Sequence, residues 1–143
     1  VKSLGFDIKL DTNGSLPDKL ISLVEEGLID YVAMDIKNAP SDYNSACGLN
    51  APPVSAVRRS VDFLLSGAVA FEFRTTVVDE LHDETQMASI AEWLSGAKQY
   101  FIQNFTDSGN ILEEGLHACS TQKLNTLLQI VSERIPTARL RGV

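Results

Sequence analysis

Four times along this chain a short run of β-branched and aromatic residues gives way to a helical stripe of apolar ones. Residues 6–11 read as a first strand, with Thr12, Asn13 and Gly14 as its turn. A helix is expected over 17–26, opened by Pro17 and striped by Leu20, Ile21 and Val24. Residues 29–37, 70–78 and 99–105 read as the next three strands. Val57, Val61 and Leu64 mark one helix between them, and Met87, Ile90 and Leu94 mark another over 84–95. A last helix is expected over 121–135, capped by Ser120, before a short closing strand at 138–141. Strands joined by helices run parallel, because the helix carries the chain back to the same starting edge. The fold class is therefore α/β, with parallel strands and helices outside. Helices on one face would make the sheet an arc of a barrel, and helices on alternate faces would make it doubly wound. Periodicity alone does not choose.

With 143 residues, 44% of them hydrophobic, the chain is sized for a single domain, 1–143, around one core. A net charge of −7 argues against nucleic acid or an anionic membrane as its main partner. The apolar runs are too short to span a bilayer, and no segment has a signal-peptide pattern. Cys47 and Cys119 stand apart, as expected for free thiols of a cytoplasmic protein. Val1 to Gly5 reads as the last turn of a helix, which points to a piece of a longer protein.

Chemistry is expected at the carboxyl edge of the strands, where α/β folds build ligand sites. Strand alternation puts Asp35 and Lys37 on the face of Tyr31 and Ala33. Asp11, Thr12 and Asp35 offer hard oxygen ligands to a cation, and Lys37 and Arg74 are donors for a carboxylate or phosphate. Thr76, Gln103 and Phe105 reach the same edge, and His82 follows strand three in a Leu-His-Asp loop. Its two readings are a general acid or a histidine that caps local backbone. The loop over 38–53 is long for its place, and substrate contact and plain surface insertion are both open. No serine nucleophile elbow and no glycine-rich phosphate loop is present. Lys37 has the residue type for a Schiff base, but the Asp-x-Lys-x-x-Asp pattern of orotidine-phosphate decarboxylases fails at Pro40.

Lys-Leu-Asp-Thr-Asn-Gly at 9–14, the helix opened by Pro17, and Gly-Leu-Ile-Asp-Tyr-Val-Ala-Met-Asp-Ile-Lys at 27–37 together resemble a known family. It is the radical S-adenosylmethionine enzymes that activate glycyl-radical enzymes. The closest subgroup is the anaerobic ribonucleoside-triphosphate reductase activating proteins, relatives of the pyruvate formate-lyase activating enzyme. Phe-Arg-Thr-Thr-Val-Val at 73–78 with His82, and Tyr-Phe-Ile-Gln-Asn-Phe at 100–105, match in order too. The resemblance implies the C-terminal part of a partial (β/α)6 TIM-like barrel. It implies that Asp11, Thr12 and Asp35 hold a monovalent cation or the ribose side of S-adenosylmethionine, with Asn13 in the same segment. Lys37 would pair with the methionyl carboxylate, Arg74 would line the pocket, and Phe105 would stand near the adenine. His82 and Gln103 are further candidates. In such enzymes a 4Fe–4S cluster passes an electron to the sulfonium. The 5′-deoxyadenosyl radical so formed takes hydrogen from a glycine of the partner enzyme. A reduced flavodoxin or ferredoxin serves as electron donor.

One departure is large. The Cys-x-x-x-Cys-x-x-Cys motif that ligates the cluster, and the Gly-Gly-Glu segment that holds the methionine amine, are absent from these 143 residues. In the family both precede the part matched here, so the chain alone is expected to be inactive. Rival readings are a radical enzyme acting on a small molecule and a non-catalytic (β/α) module that binds a ligand or a partner. In each case strand one would present an open apolar edge, from which self-association is expected.

Overall fold

The computed structural model describes residues 2–44, 52–107, 109 and 115–142. Strands β1 (Lys9–Thr12), β2 (Tyr31–Asp35), β3 (Ala70–Val77), β4 (Tyr100–Asn104) and β5 (Arg139–Arg141) form one sheet in that order. Every neighbouring pair is parallel. Helices α1 (Pro17–Glu25), α2 (Val54–Leu65), α3 (Glu84–Trp93) and α4 (Thr121–Ser132) fill the crossovers. The strand order never reverses, so right-handed crossovers set all four helices on one face. The sheet is an arc of a (β/α) barrel, not a doubly wound sheet.

Strand alternation divides the sheet into two unlike faces. On the convex side Val32, Met34, Phe73, Val77, Tyr100 and Ile102 are fully buried and join Leu20, Val61, Leu64, Ile90, Leu94 and Leu127 from the helices in one core. Within this layer the Tyr100 hydroxyl donates to Thr75 Oγ1 at 2.6 Å. On the concave side the strands carry Lys9, Asp11, Asp35, Glu72, Arg74, Gln103, Arg139 and Arg141. An apolar convex face buried by helices and a charged concave face is the division expected of a barrel wall around a polar interior.

Local chemistry fixes where the loops leave the sheet. Gly14 takes φ +73°, and a Cβ there would lie 2.0 Å from Met34 Cε, so the β1–α1 turn admits glycine. Buried Ser60 of α2 donates to the Gly14 carbonyl at 2.8 Å and fastens that turn to the next helix. Helix α3 opens with a capping box: Asp83 Oδ1 accepts from the Gln86 N–H, and Gln86 Oε1 accepts from the Asp83 N–H. Ser120 caps α4 through the Lys123 N–H, as its place in the sequence predicts.

The first strand starts later than its apolar run predicts. Ile8 offers its carbonyl to the Asp30 and Tyr31 N–H groups at 2.9 and 3.2 Å, while Phe6 lies outside the ladder, 64% exposed. Lys2–Leu4 form a single 3-10 turn, closed by the Gly5 N–H on the Lys2 carbonyl. Cys47 and the centre of the 38–53 loop lie outside the described residues. No helix among the described residues is long and apolar enough to cross a membrane.

Candidate functional site

At the carboxyl edge of β2 and β3 the concave face gathers a compact charge cluster. Arg74 and Asp35 are register partners on these two strands. Both Nε and Nη2 of Arg74 approach Asp35 Oδ1 at 3.1 Å. Arg74 Nη1 lies 3.9 Å from Asp11 Oδ2, reaching over β2 to β1. Lys37 Nζ stands 4.0 Å from the other Asp35 oxygen. The Arg74 side chain is only 17% exposed, whereas Lys37 is 49% exposed, so Arg74 serves as an inner brace and Lys37 as an outward-facing cation.

The backbone under Lys37 is held from three sides. The Ile36 N–H donates to the Arg74 carbonyl at 2.7 Å, and the Lys37 N–H donates to the buried Tyr43 hydroxyl at 3.2 Å. His82 Nε2 lies 2.8 Å from the Lys37 carbonyl, while His82 Nδ1 receives the Val78 N–H at 3.0 Å. That pattern fixes the neutral tautomer with the proton on Nε2. Burial holds the His82 pKa below the ordinary histidine value, with the bonds to Lys37 and Val78 opposing. His82 is 2% exposed and ties the end of β2 to the end of β3. Beside it, Asn38 donates from Nδ2 to the Leu81 carbonyl at 3.1 Å and repeats the tie. Both ring nitrogens of His82 are therefore committed to backbone, and its geometry is that of a brace beneath Lys37.

Other residues of the expected site are placed as follows. Thr12 shares the helix-side register of Met34, and its Oγ1 accepts the Gly14 N–H at 3.0 Å, so it builds the turn on the face opposite Asp11. Asn13 Oδ1 accepts the Ser15 N–H at 3.0 Å in the same turn. Gln103 is half-buried on the concave face in register with Thr76 and Arg141. Phe105 follows β4, with its N–H on the Val77 carbonyl at 3.0 Å. The structure thus joins Asp11, Asp35, Lys37 and Arg74 in one cluster and leaves Thr12 and Asn13 in the adjoining turn. Among the described residues no group of three or more His, Cys, Asp and Glu side chains is gathered to hold a metal ion. Cys119 is buried, and burial pushes its thiol pKa up, so it is a poor ligand.

A second, deeper charge cluster was not foreseen. Glu72 is 3% exposed. Lys9 Nζ reaches its Oε1 at 3.4 Å from β1, and Arg141 Nη1 reaches its Oε2 at 2.9 Å from β5. Oε2 accepts no hydrogen bond by geometry, and the Arg141 guanidinium lies over the Phe101 ring, 3.6 Å from its centroid. Lys9 likewise stands over the Tyr31 ring at 5.7 Å. Burial and the Glu72 carboxylate both push the Tyr31 phenol pKa up. A sequence signal for this cluster exists: an acid inside Phe-Glu-Phe interrupts an otherwise apolar strand, and a charge so placed demands partners. In both clusters side chains from alternate strands meet across the one between. That is the layering found inside (β/α) barrels.

Comparison with known proteins finds a similar sequence and a similar fold. Over 107 residues the chain is 33% identical to a Methanocaldococcus jannaschii protein named "Putative glycyl-radical enzyme activating enzyme MJ1227", a match covering 73% of the chain. By its name, that similar protein is one of the glycyl-radical-enzyme activating enzymes. It spans 45% of the length of that curated relative. Among solved structures, this chain superposes on a domain of the pyruvate-formate lyase-activating enzyme from Bacteroides vulgatus with a TM-score of 0.79. The superposition covers 99% of this chain and 84% of that one at 13% identity, so it speaks for the fold alone. No family model matches the sequence.

Proposed function

We propose that this chain is the C-terminal part of a radical S-adenosylmethionine activating enzyme that installs a glycyl radical on a partner enzyme. One juxtaposition carries the reading: Lys37, its backbone held on both sides, stands beside the Asp35–Arg74 pair at a barrel's carboxyl edge. A half-exposed lysine so placed suits the methionyl carboxylate, and the Asp11 and Asp35 carboxylates suit a monovalent cation or ribose hydroxyls. Thr12 and Asn13 contribute through the turn they build, and Gln103 and Phe105 border the pocket towards the adenine. When bound, S-adenosylmethionine supplies the radical chemistry. The chain's own residues bind it and orient it.

The residues present do not fit an iron–sulfur cluster. The sequence has two cysteines and no Cys-x-x-x-Cys-x-x-Cys run, and Cys119 is buried. The cluster ligands would therefore lie in a longer protein of which residues 1–143 form one portion, and that protein would meet a glycyl-radical partner and a flavodoxin- or ferredoxin-type donor. S-adenosylmethionine titrated into the chain alone is expected to bind weakly, and Lys37→Ala or Asp35→Ala is expected to abolish binding with the fold intact by circular dichroism. Anaerobic reconstitution with iron and sulfide is expected to give no reductive cleavage. Turnover by these 143 residues, or binding indifferent to both substitutions, would overturn the reading.

A further inference from the structure

The concave strands carry five cations, Lys9, Lys37, Arg74, Arg139 and Arg141, and only three carboxylates, Asp11, Asp35 and Glu72. The imbalance is positive in a chain whose net charge is −7. Most of that positive charge is spoken for. Arg74 is held between Asp35 and Asp11, while Lys9 and Arg141 both converge on Glu72. Lys37 has only a long 4.0 Å approach to Asp35.

We propose that Glu72 is a specificity-determining residue: it withdraws Lys9 and Arg141 from anion binding and so confines recognition of a small anion to Lys37. The argument is electrostatic and geometric. Glu72 is central, on β3, and its two oxygens each face a cation from an outer strand. Both cations are also seated on aromatic rings, Lys9 over Tyr31 and Arg141 over Phe101. These contacts do not depend on Glu72, so removing its charge leaves two cations in place on the concave face with nothing to neutralise them. A guanidinium freed in this way takes phosphate-type oxygens two at a time. A floor with two such cations would hold polyphosphates as well as, or better than, a single carboxylate. The inference deepens the reading of the Lys37 site but does not need S-adenosylmethionine for its test, so either can fail alone.

Inorganic pyrophosphate, titrated calorimetrically into the chain at low ionic strength, is the probe. Glu72→Gln keeps the side-chain shape and removes the charge. It is expected to bind pyrophosphate roughly tenfold or more tighter than the parent, the gain expected of one charged hydrogen bond. The gain is expected to vanish in Glu72→Gln combined with Arg141→Gln. Arg141→Gln alone is expected to leave the parent's pyrophosphate affinity unchanged, because Arg141 is committed to Glu72. That single variant decides the matter if Glu72→Gln does not fold. No gain in Glu72→Gln, a gain that survives loss of Arg141, or weaker binding in Arg141→Gln alone would each overturn the proposal.

Discussion

His82 and His117 are the only histidines, and their surroundings pull them opposite ways. Burial lowers the pKa of His82, whereas the hydrogen bond His117 donates to Glu80 raises that of His117. The stability His82 carries is intact above the ordinary histidine value of 6.5. It is lost as pH falls below that value, since the unfolded chain then takes a proton that the folded chain refuses. His117 contributes below the ordinary value and loses its contribution as pH rises through its higher folded pKa. His117→Gln therefore leaves the acid-side loss unopposed. Its melting temperature is expected to fall more steeply than the parent's between about pH 7.5 and 5.5. A profile that matches the parent's would mean that His117 gains no stability from its bond to Glu80. Gly14→Ala is a simpler case: positive φ and a Cβ driven onto Met34 Cε are expected to cost about 2 kcal/mol in urea unfolding. At this scale the sequence was partly readable. Asp11, Asp35, Lys37 and Arg74 obey strand alternation and do meet, and the same alternation sends Thr12 to the opposite face from Asp11. Glu72 was missed because its partners come from the first and last strands. Nothing local announces Arg141 as the neighbour of Lys9.

The elements themselves were legible because each has its own period and its own punctuation. Ser120 is a cap residue in sequence and in structure, and the structure adds Asp83. Asp83→Ala is expected to remove the capping box and cost about 1 kcal/mol, read as a shift in the denaturation midpoint. Strand ends were harder, since an apolar run such as 6–11 does not say where pairing begins. The loop after β4 depends on a contact no periodicity shows: Asn104 Nδ2 donates to the Cys119 carbonyl and Asn104 Oδ1 accepts the Cys119 N–H, each at 2.9 Å. A salt bridge from Lys123 to Asp79, at 2.8 Å, and the His117–Glu80 contact fasten the same loop to the segment after β3. Asn104→Ala is expected to speed amide hydrogen exchange at Cys119 while α4 keeps its protection. Unchanged exchange would assign the order of this loop to the ion pairs alone.

For the whole molecule, the open question of handed face was settled by strand order, which a sequence without contacts does not contain. The sheet ends in two unlike edges. β5 is three residues long and carries Arg139 and Arg141, a charged edge that resists pairing. β1 has one paired side, and Leu4, Phe6, Leu16 and Leu28 are exposed in the segments around it. The chain is expected to self-associate as its concentration rises, and Phe6→Lys is expected to reduce this in light scattering. A parent that stays monomeric at high concentration would count against an adhesive first edge.

The alternate-strand layers have a consequence for how this sequence tolerates change. Lys9 answers to Glu72 and Asp11 to Arg74, each across β2, and Glu72 answers to Arg141 across β4. A drift in charge at one strand is thus registered by the strand beyond as well as by its hydrogen-bonded neighbour. In a lineage of such chains, substitutions would be inherited in skipping sets, Lys9 with Glu72 and Arg141, and Asp11 with Arg74 and the Asp35 between them.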